Sequence, residues 1–312
     1  MIPAAALLVG AGVIGWWSPW ALSRLAATGT GPGTVIAWWL LAAVGVVAGV
    51  ITGVLLLVLP GHGPAGAVMR VLHDCWSTVG HRGLPQLDPI AGAGSAAVVA
   101  VAAVRLARHS LSRRRHRTVL HRRHLTALRL SGGRDQPPLP TLWLPEDQPI
   151  AYSMGGRHPL VVASTGLADR LTEPELRAVL EHERAHIRGH HHLLTGWAEV
   201  LGRTLRFIPL MRELPAAMRL LVELAADRTA AARCGAAPLR SALLRVRSGD
   251  GPRRALAMAG GDTAIRLDHL DITAEPRFTA GVKAVTGGIA ALLAPAAVAV
   301  ALVVGTSLIV CP

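Results

Sequence analysis

Long apolar runs near both ends of the chain are the strongest pattern in the sequence. A helix needs roughly 20 mostly apolar residues to cross the hydrocarbon core of a membrane. No charged residue occurs between Arg24 and Arg70 or after Lys283. The first apolar run has no Lys or Arg before it, which argues against a cleaved signal peptide. We therefore predict four transmembrane helices, at about 2–22, 34–59, 90–107 and 282–310, of which the third is the shortest and is rich in Ala.

A dense block of positive charge follows the third predicted span. Nine arginines and no acidic residue occur from Arg105 to Arg129. Loops with excess Lys and Arg stay in the cytoplasm, so the residues from about 108 to 281 should be cytoplasmic. Both termini and the loop at about 60–89 then lie outside. These features predict a multi-pass protein of a bacterial-type plasma membrane.

The tryptophans agree with this topology. Trp16, Trp17 and Trp20 close the first span, and Trp38 and Trp39 open the second. All five are expected near the cytoplasmic membrane interface, where indole rings prefer to lie.

Overall composition supports a membrane location and limits the kind of metal site. Hydrophobic residues make up 51% of the 312, charged residues only 16%, the mean hydropathy is +0.42 and the net charge is +13. The three cysteines, at positions 75, 234 and 311, form no C-x-x-C pair, so any metal must be bound by His and carboxylates. Cys75 and Cys311 are expected on the same outer side of the membrane, either bridged or as two separate thiols.

Local patterns divide the cytoplasmic part into a connector, 108–140, and a mainly helical domain with a small sheet, 141–281. The membrane parts are then 1–107 and 282–312. Ile150–Ser153 and Leu160–Ser164 resemble two strands of a hairpin. Thr172 and Glu175 form a capping box, which predicts that a helix begins near Glu173. Further helices are predicted at about 193–207 and 215–234.

The helix that begins near Glu173 carries the motif His182-Glu183-Arg184-Ala185-His186. Residues four apart lie on one face of a helix, so His182 and His186 can bind one metal ion. Zn²⁺ suits two imidazoles and a carboxylate, and a catalytic zinc keeps one position for water. Glu183, between the histidines, is the predicted general base.

The histidine motif lacks a third metal ligand and a partner that orients a ligand histidine, and Glu223 and Asp227 can provide them. They lie four residues apart on an otherwise apolar predicted helix, where an unpartnered carboxylate would be costly to bury. We predict that Glu223 is the third zinc ligand and that Asp227 accepts a hydrogen bond from the far nitrogen of a ligand histidine, assigned as His182.

Three more histidines follow the motif, at positions 190, 191 and 192. A solvated helix end is the preferred interpretation, and an accessory metal site is the alternative. Tyr152, the only tyrosine, is expected to pack in its strand, although a place in the substrate cleft is the alternative.

The chain resembles the antirepressor-type membrane metallopeptidases of the BlaR and MecR kind. The resemblance rests on three spans, a basic connector, Leu180–His186, the Glu223 and Asp227 pair and a fourth span. It implies an α-helical membrane protein with four transmembrane helices and a cytoplasmic, mainly helical α+β gluzincin-like zinc peptidase domain. It also implies zinc ligands His182, His186 and Glu223, and an extended substrate beside the strand near Val161.

The resemblance further implies a protein substrate, either a cytoplasmic winged-helix repressor or the enzyme itself. Those sensors continue into an extracellular penicillin-binding domain, whereas this sequence stops at Pro312. We therefore expect the signal to come through the 60–89 loop, the spans, a second copy or a separate sensor protein.

Two other interpretations remain open. The first is an HtpX- or CAAX-type membrane quality-control endopeptidase, which uses the same two motifs. The second is a non-catalytic membrane protein that binds anionic lipid or nucleic acid through the arginine block. Because no base-reading motif accompanies that block, lipid contact is favoured and direct nucleic-acid binding is not expected.

Overall fold

The computed structural model describes residues 2–27, 29–58, 93–94, 97–111, 140–156, 159–247, 263–270 and 277–310. Their helices and strands, in chain order, are α1 (Ile2–Ala27), α2 (Pro32–Val58), α3 (97–111), β1 (Thr141–Leu144), β2 (Ala151–Met154), β3 (Leu160–Ser164), α4 (Thr165–Arg170), α5 (Glu173–Arg188), α6 (His191–Thr204), α7 (Pro209–Cys234), α8 (Ala236–Arg247), α9 (Thr263–Leu270) and α10 (Arg277–Val310). Most of the arginine block, the 60–89 loop, Cys75 and Cys311 lie outside these residues.

Three helices, α1, α2 and α10, pack together as an apolar bundle. Ala4–Ala26, Pro32–Val58 and Gly281–Thr306 are long and apolar enough to cross a membrane. Small residues allow the helix backbones to approach closely, since a Cβ at Gly10 would meet the carbonyl oxygen of Pro295 and one at Gly45 would meet that of Leu292. Apolar helices therefore occur where the first, second and fourth spans are predicted.

The predicted third span, 90–107, lies partly outside the described residues. Its later part falls within α3, which is shorter than the three bundle helices. The total of four spans stays a prediction.

The bundle also changes the expectation for two tryptophans. Trp38 and Trp39 are buried, and the Trp38 indole donates a hydrogen bond to the carbonyl oxygen of Lys283 at 3.2 Å. The indoles of Trp16, Trp17 and Trp20 are largely exposed on α1. Trp38 and Trp39 thus pack between helices, and their position near a membrane interface stays a prediction.

A three-stranded sheet forms the other end of the molecule. β2 pairs antiparallel with β3, which confirms the predicted hairpin. β1 pairs parallel with β3 on its other side, so β3 is central and the order is β1-β3-β2. β1 was not predicted; it is placed in the sheet by its pairing with β3, a contact between segments that are distant in sequence.

Helix α5 begins where its capping box predicts. The backbone N–H of Thr172 donates to Oε2 of Glu175 at 2.8 Å, and both halves of the box are present. The hydroxyl of Ser241 and the guanidinium of Arg245, both on α8, also contact the Glu175 carboxylate. These bonds fix the start of the helix that carries the histidines.

Helices α6 and α7 are close to the predicted ones but differ at their ends. α7 begins at Pro209, six residues before the predicted start, and contains Pro215 within it. It ends at Cys234, and its C-terminal cap Gly235 has a positive φ. Pro209 occupies the first turn, where a missing N–H costs no helical bond.

Helix α7 belongs to both hydrophobic cores of the molecule. One core joins α1 and α2 to α6 and the first half of α7, and includes Trp39, Leu214 and Met218. The other joins the sheet to α4, α5, α8 and the second half of α7, where Ala230 is buried. This helix therefore connects the membrane bundle to the sheet domain.

Candidate metal centre

The histidine motif lies on the buried face of α5. His182 and Glu183 are almost completely buried, and His186 is largely so. The Nε2 atoms of His182 and His186 lie 3.1 Å apart. The spacing of four residues thus brings two imidazole nitrogens to one point, as the sequence predicts.

Helix α7 crosses α5 and brings Glu223 to the same point. Its Oε2 lies 3.4 Å from Nε2 of His182, and its Oε1 lies 3.4 Å from Nε2 of His186. Ligand atoms bound tetrahedrally at zinc bond lengths are about 3.3 Å apart. The three side chains therefore have the spacing that a zinc ion requires.

The hydrogen bonding of Glu223 agrees with this fit. Its Oε2 is buried, and among the described residues no donor makes a well-aligned hydrogen bond to it. Buried polar atoms are nearly always satisfied. Two imidazoles and a carboxylate are also the donor types of many catalytic zinc sites, so a divalent metal ion bound here would satisfy the carboxylate.

Asp227 lies one turn after Glu223 and faces the opposite nitrogen of His182. Its Oδ1 is 2.9 Å from Nδ1 of His182. The structure thus brings Asp227 to the histidine to which the sequence analysis assigned it. A carboxylate in this position favours the tautomer that leaves Nε2 available to a metal.

Arg266, on α9, completes the buried network and was not predicted. Its guanidinium donates two hydrogen bonds of 2.6 Å to the two carboxylate oxygens of Asp227. Its Nη1 is also 3.3 Å from Oε2 of Glu223. No local pattern identifies this arginine, because its partners are distant in sequence and its helix is short.

The network sets the charge of its members. Burial disfavours a charged His182, but contacts with Asp227 and Glu223 outweigh it and raise the pKa of His182 to about 9 when no metal is bound. Burial would raise the pKa of Asp227, but the bonds from Arg266 and the contact with His182 hold that pKa below its ordinary value. Asp227 is therefore an anion.

The ring of His191 contacts the ring of His186 and orients it. The Nδ1 atoms of the two rings lie 2.9 Å apart and the rings meet edge to face. Burial lowers the pKa of His186 to about 3 and that of His191 to about 4. Both rings are then neutral, so one Nδ1–H donates to the other Nδ1.

The solvated helix end predicted for the histidine run is wrong for His191. Helix α5 ends at Arg188, and His190 has a left-handed backbone with φ 50°. This turn starts α6 in a new direction and buries the His191 ring. A continuous helix would have put His190, not His191, in line with His186.

Glu183 points into the cleft beside the ligands. Burial raises its pKa above the ordinary value, and the hydroxyl of Ser153 on β2 is a hydrogen-bond partner. A carboxylate with a raised pKa can accept and return a proton near neutral pH. Its place beside the three ligands suits the role of general base.

A cavity of about 560 Å³ opens over these residues. Its walls come from β2, α5, α6 and α7, and include Tyr152, Ser153, Thr195 and Arg219. Tyr152 therefore lines the cleft, which was the less favoured expectation.

The strand beside this cleft is β2, not the one near Val161. β3, which contains Val161, is paired on both sides and has no edge for a substrate. β2 has no strand on its other side among the described residues. The prediction that a substrate pairs with the strand near Val161 is therefore wrong.

Comparison with known proteins identifies the domain around this cleft. Residues 115–245 match the model of Peptidase family M48. This segment, called the M48 domain here, is less than half of the chain. The chain thus combines a segment similar to M48 peptidases with three apolar helices and a His/His/Glu group that could hold a metal ion.

A short segment of the chain is also similar to a protein named as a protease. The chain is 40% identical over 62 residues to "Protease HtpX homolog" from Sulfurovum sp. (strain NBC37-1). The aligned part is 19% of this chain and 22% of that protein, so the comparison covers about a fifth of each. No solved structure matches the chain.

The M48 match includes all three predicted ligands and ends before α9. Residues 115–245 also contain the predicted base Glu183 and Asp227, whereas Arg266 lies beyond them. Neither match specifically indicates the BlaR and MecR kind of antirepressor. That finer resemblance stays a prediction.

Proposed function

We propose that this protein is a zinc-dependent endopeptidase anchored in the membrane by α1, α2 and α10. The observation that supports this best is the triangle of His182, His186 and Glu223 ligand atoms, with edges of 3.1, 3.4 and 3.4 Å. Glu183 lies beside the triangle in a cleft large enough for a peptide segment.

The side chains of this site then have distinct roles. A zinc ion held by His182, His186 and Glu223 would polarise the scissile carbonyl and lower the pKa of the attacking water to about 7. Glu183 accepts the proton of that water and passes it to the leaving amine. Asp227 and His191 hold the two ligand rings by their Nδ1 atoms.

The outer edge of β2, beside which no strand lies among the described residues, provides a way to hold the substrate. An extended peptide can add to a sheet edge through backbone hydrogen bonds, while pockets contact alternate side chains. Tyr152 and Ser153 lie on this edge and also line the cleft. A substrate strand paired there would pass directly over Glu183.

Two substrate classes follow from the comparisons and the sequence. Similarity to a protein named as an HtpX homolog favours cleavage of membrane proteins in quality control. The predicted alternative is one cytoplasmic repressor or the enzyme itself, cleaved in response to a signal. We propose the cytoplasmic face for either reaction, because the arginine block predicts that orientation.

The central test is Glu183→Gln in the full chain. The variant should keep about one zinc per chain, measured by elemental analysis, and lose proteolysis by at least about 100-fold, since general-base catalysis supplies that much. Glu173→Gln, on the same helix and exposed, is the control and should stay fully active. Full activity of Glu183→Gln would refute the mechanism.

The same pair of proteins identifies the substrate class. Proteomic comparison of cells that produce wild-type or Glu183→Gln protein should show fragments that only the wild type generates. Fragments of many misfolded membrane proteins would support quality control. A single fragment of one repressor would support the regulatory role.

A further inference from the structure

The corner between α6 and α7, residues 205–208, lies deep against the membrane bundle. Ile208 packs so closely on α1 that a Cβ at Gly15 would lie 2.8 Å from its Cγ2, and Cγ1 of Val46 on α2 lies 3.7 Å from the same point. Gly15 lies within the Ala4–Ala26 span. A part of the M48 domain therefore reaches the level of the membrane helices.

The depth of this corner can be measured along α2. Trp38 bonds the backbone of Lys283, the charged residue at the start of the third apolar helix, so this level marks the membrane surface. Val46 follows Trp38 by eight residues, which is about 12 Å at 1.5 Å per residue. The corner thus lies about 12 Å below the level of Trp38.

A second contact gives the direction of α7. The guanidinium of Arg228 packs over Gly31, immediately before α2 begins. Helix α7 therefore starts at the level of Val46, inside the bundle. It then runs back to the level of Gly31, where α2 begins. Glu223 is 15 residues from Ile208, about 22 Å along the helix. The metal centre consequently stays near or above the membrane surface.

The outer surface of the corner has the chemistry of a lipid interface. Phe207 is 67% exposed and Trp197, on the preceding helix, is 49% exposed. Around them Arg203, Arg206 and Arg212 are exposed. Aromatic rings flanked by guanidinium groups suit the boundary between acyl chains and headgroups. The carboxylate of Glu213 is paired with Arg212 at 3.4 Å.

We propose that the α6–α7 corner is inserted into the cytoplasmic leaflet of an anionic bilayer. Phe207 enters the acyl region, and the three arginines contact lipid phosphates. The corner does not cross the membrane; it lies in one leaflet beside α1 and α2. This proposal depends on the membrane position of the bundle and is independent of the proposed peptidase activity.

Depth-dependent fluorescence quenching tests this insertion. The full chain, with Cys75, Cys234 and Cys311 replaced by Ser, receives one cysteine at Phe207 and an environment-sensitive NBD label. It is reconstituted in vesicles of phosphatidylcholine and phosphatidylglycerol that contain lipids with a nitroxide near the headgroup or near the chain end. An otherwise identical protein labelled at Arg177, which is 65% exposed on α5, is the control.

The label at position 207 should emit at shorter wavelength than the control and be quenched most by the shallow nitroxide. Aqueous iodide should quench only the label at 177. Emission and iodide quenching at 207 equal to those at 177 would overturn the proposal. Blue-shifted emission without nitroxide quenching would also overturn it, because a protein surface, such as a second copy, would then cover the corner.

The charge requirement is tested in the same vesicles. Arg203→Gln with Arg206→Gln should reduce nitroxide quenching at 207 when phosphatidylglycerol is present. In phosphatidylcholine alone, the double variant and its parent should give equal quenching. Equal quenching of the two proteins in anionic vesicles would refute the contact with lipid phosphates. Zinc content of each variant checks that the M48 domain is folded.

Discussion

Replacing Arg266 by Leu should destabilise the M48 domain more than the loss of any surface charge. Both partners of its bidentate pair are 2% exposed, so truncation leaves the Asp227 carboxylate buried with only His182 beside it. Breaking a buried pair in this way costs about 3–5 kcal/mol. For a domain of this size, that corresponds to a fall in Tm of roughly 10–15 °C.

The assay is thermal or urea unfolding of the purified full chain with zinc removed by chelator, so that stability is measured apart from metal binding. Arg177→Leu is the control, because its exposed pair with Glu173 (2.7 Å) is worth less than about 1 kcal/mol. The double variant Asp227→Leu with Arg266→Leu should lose less than the sum of the two single variants. A change within 1 kcal/mol for Arg266→Leu, or strict additivity in the double variant, would refute the reasoning.

The same variant changes the response to acid. Asp227 has a pKa below its ordinary value in the folded state, so its contribution is complete above the pKa of the unfolded chain and is lost as pH falls through the folded pKa. Without Arg266 the folded pKa of Asp227 rises. The pH below which the free energy of unfolding falls should therefore be higher in Arg266→Leu than in the wild type. The same dependence of the free energy of unfolding on acid pH in the variant and the wild type would contradict this.

Two further predictions concern the metal ligands and are measured by chelator competition for zinc. Glu223→Ala should weaken binding severely, because only two histidines remain; unchanged metal content would mean that the third ligand lies elsewhere. His191→Ala should weaken binding about tenfold, as removal of a partner that orients a ligand histidine commonly does, with partial recovery in His191→Asn. Wild-type affinity in His191→Ala would show that its contact with His186 is packing alone.

Much of the centre was predictable because its signals are local. A helix period places His182 and His186 on one face, and the same period relates Glu223 to Asp227. The capping box at Thr172 fixed the beginning of α5. In each case two residues within one turn of a helix contain the information.

The missed residues depend on contacts that no local period expresses. Arg266 meets Asp227 across 39 positions of sequence, and a single arginine is common on any helix surface. His191 was hidden by the left-handed turn at His190, which interrupts the helical row. The edge position of β2 required knowledge of β1, whose pairing with β3 is a tertiary event.

The sharing of α7 between the two cores gives the membrane bundle a mechanical connection to the His182, His186 and Glu223 group. Its first half moves with α1 and α2, and its second half carries Glu223 toward the histidines of α5. A displacement of the membrane helices would therefore be transmitted to Glu223 through this one helix, which contains Pro215. A change in bilayer thickness, or a partner that binds the bundle, would then change the position of Glu223. The affinity of the site for a metal ion would change without any contact in the cleft.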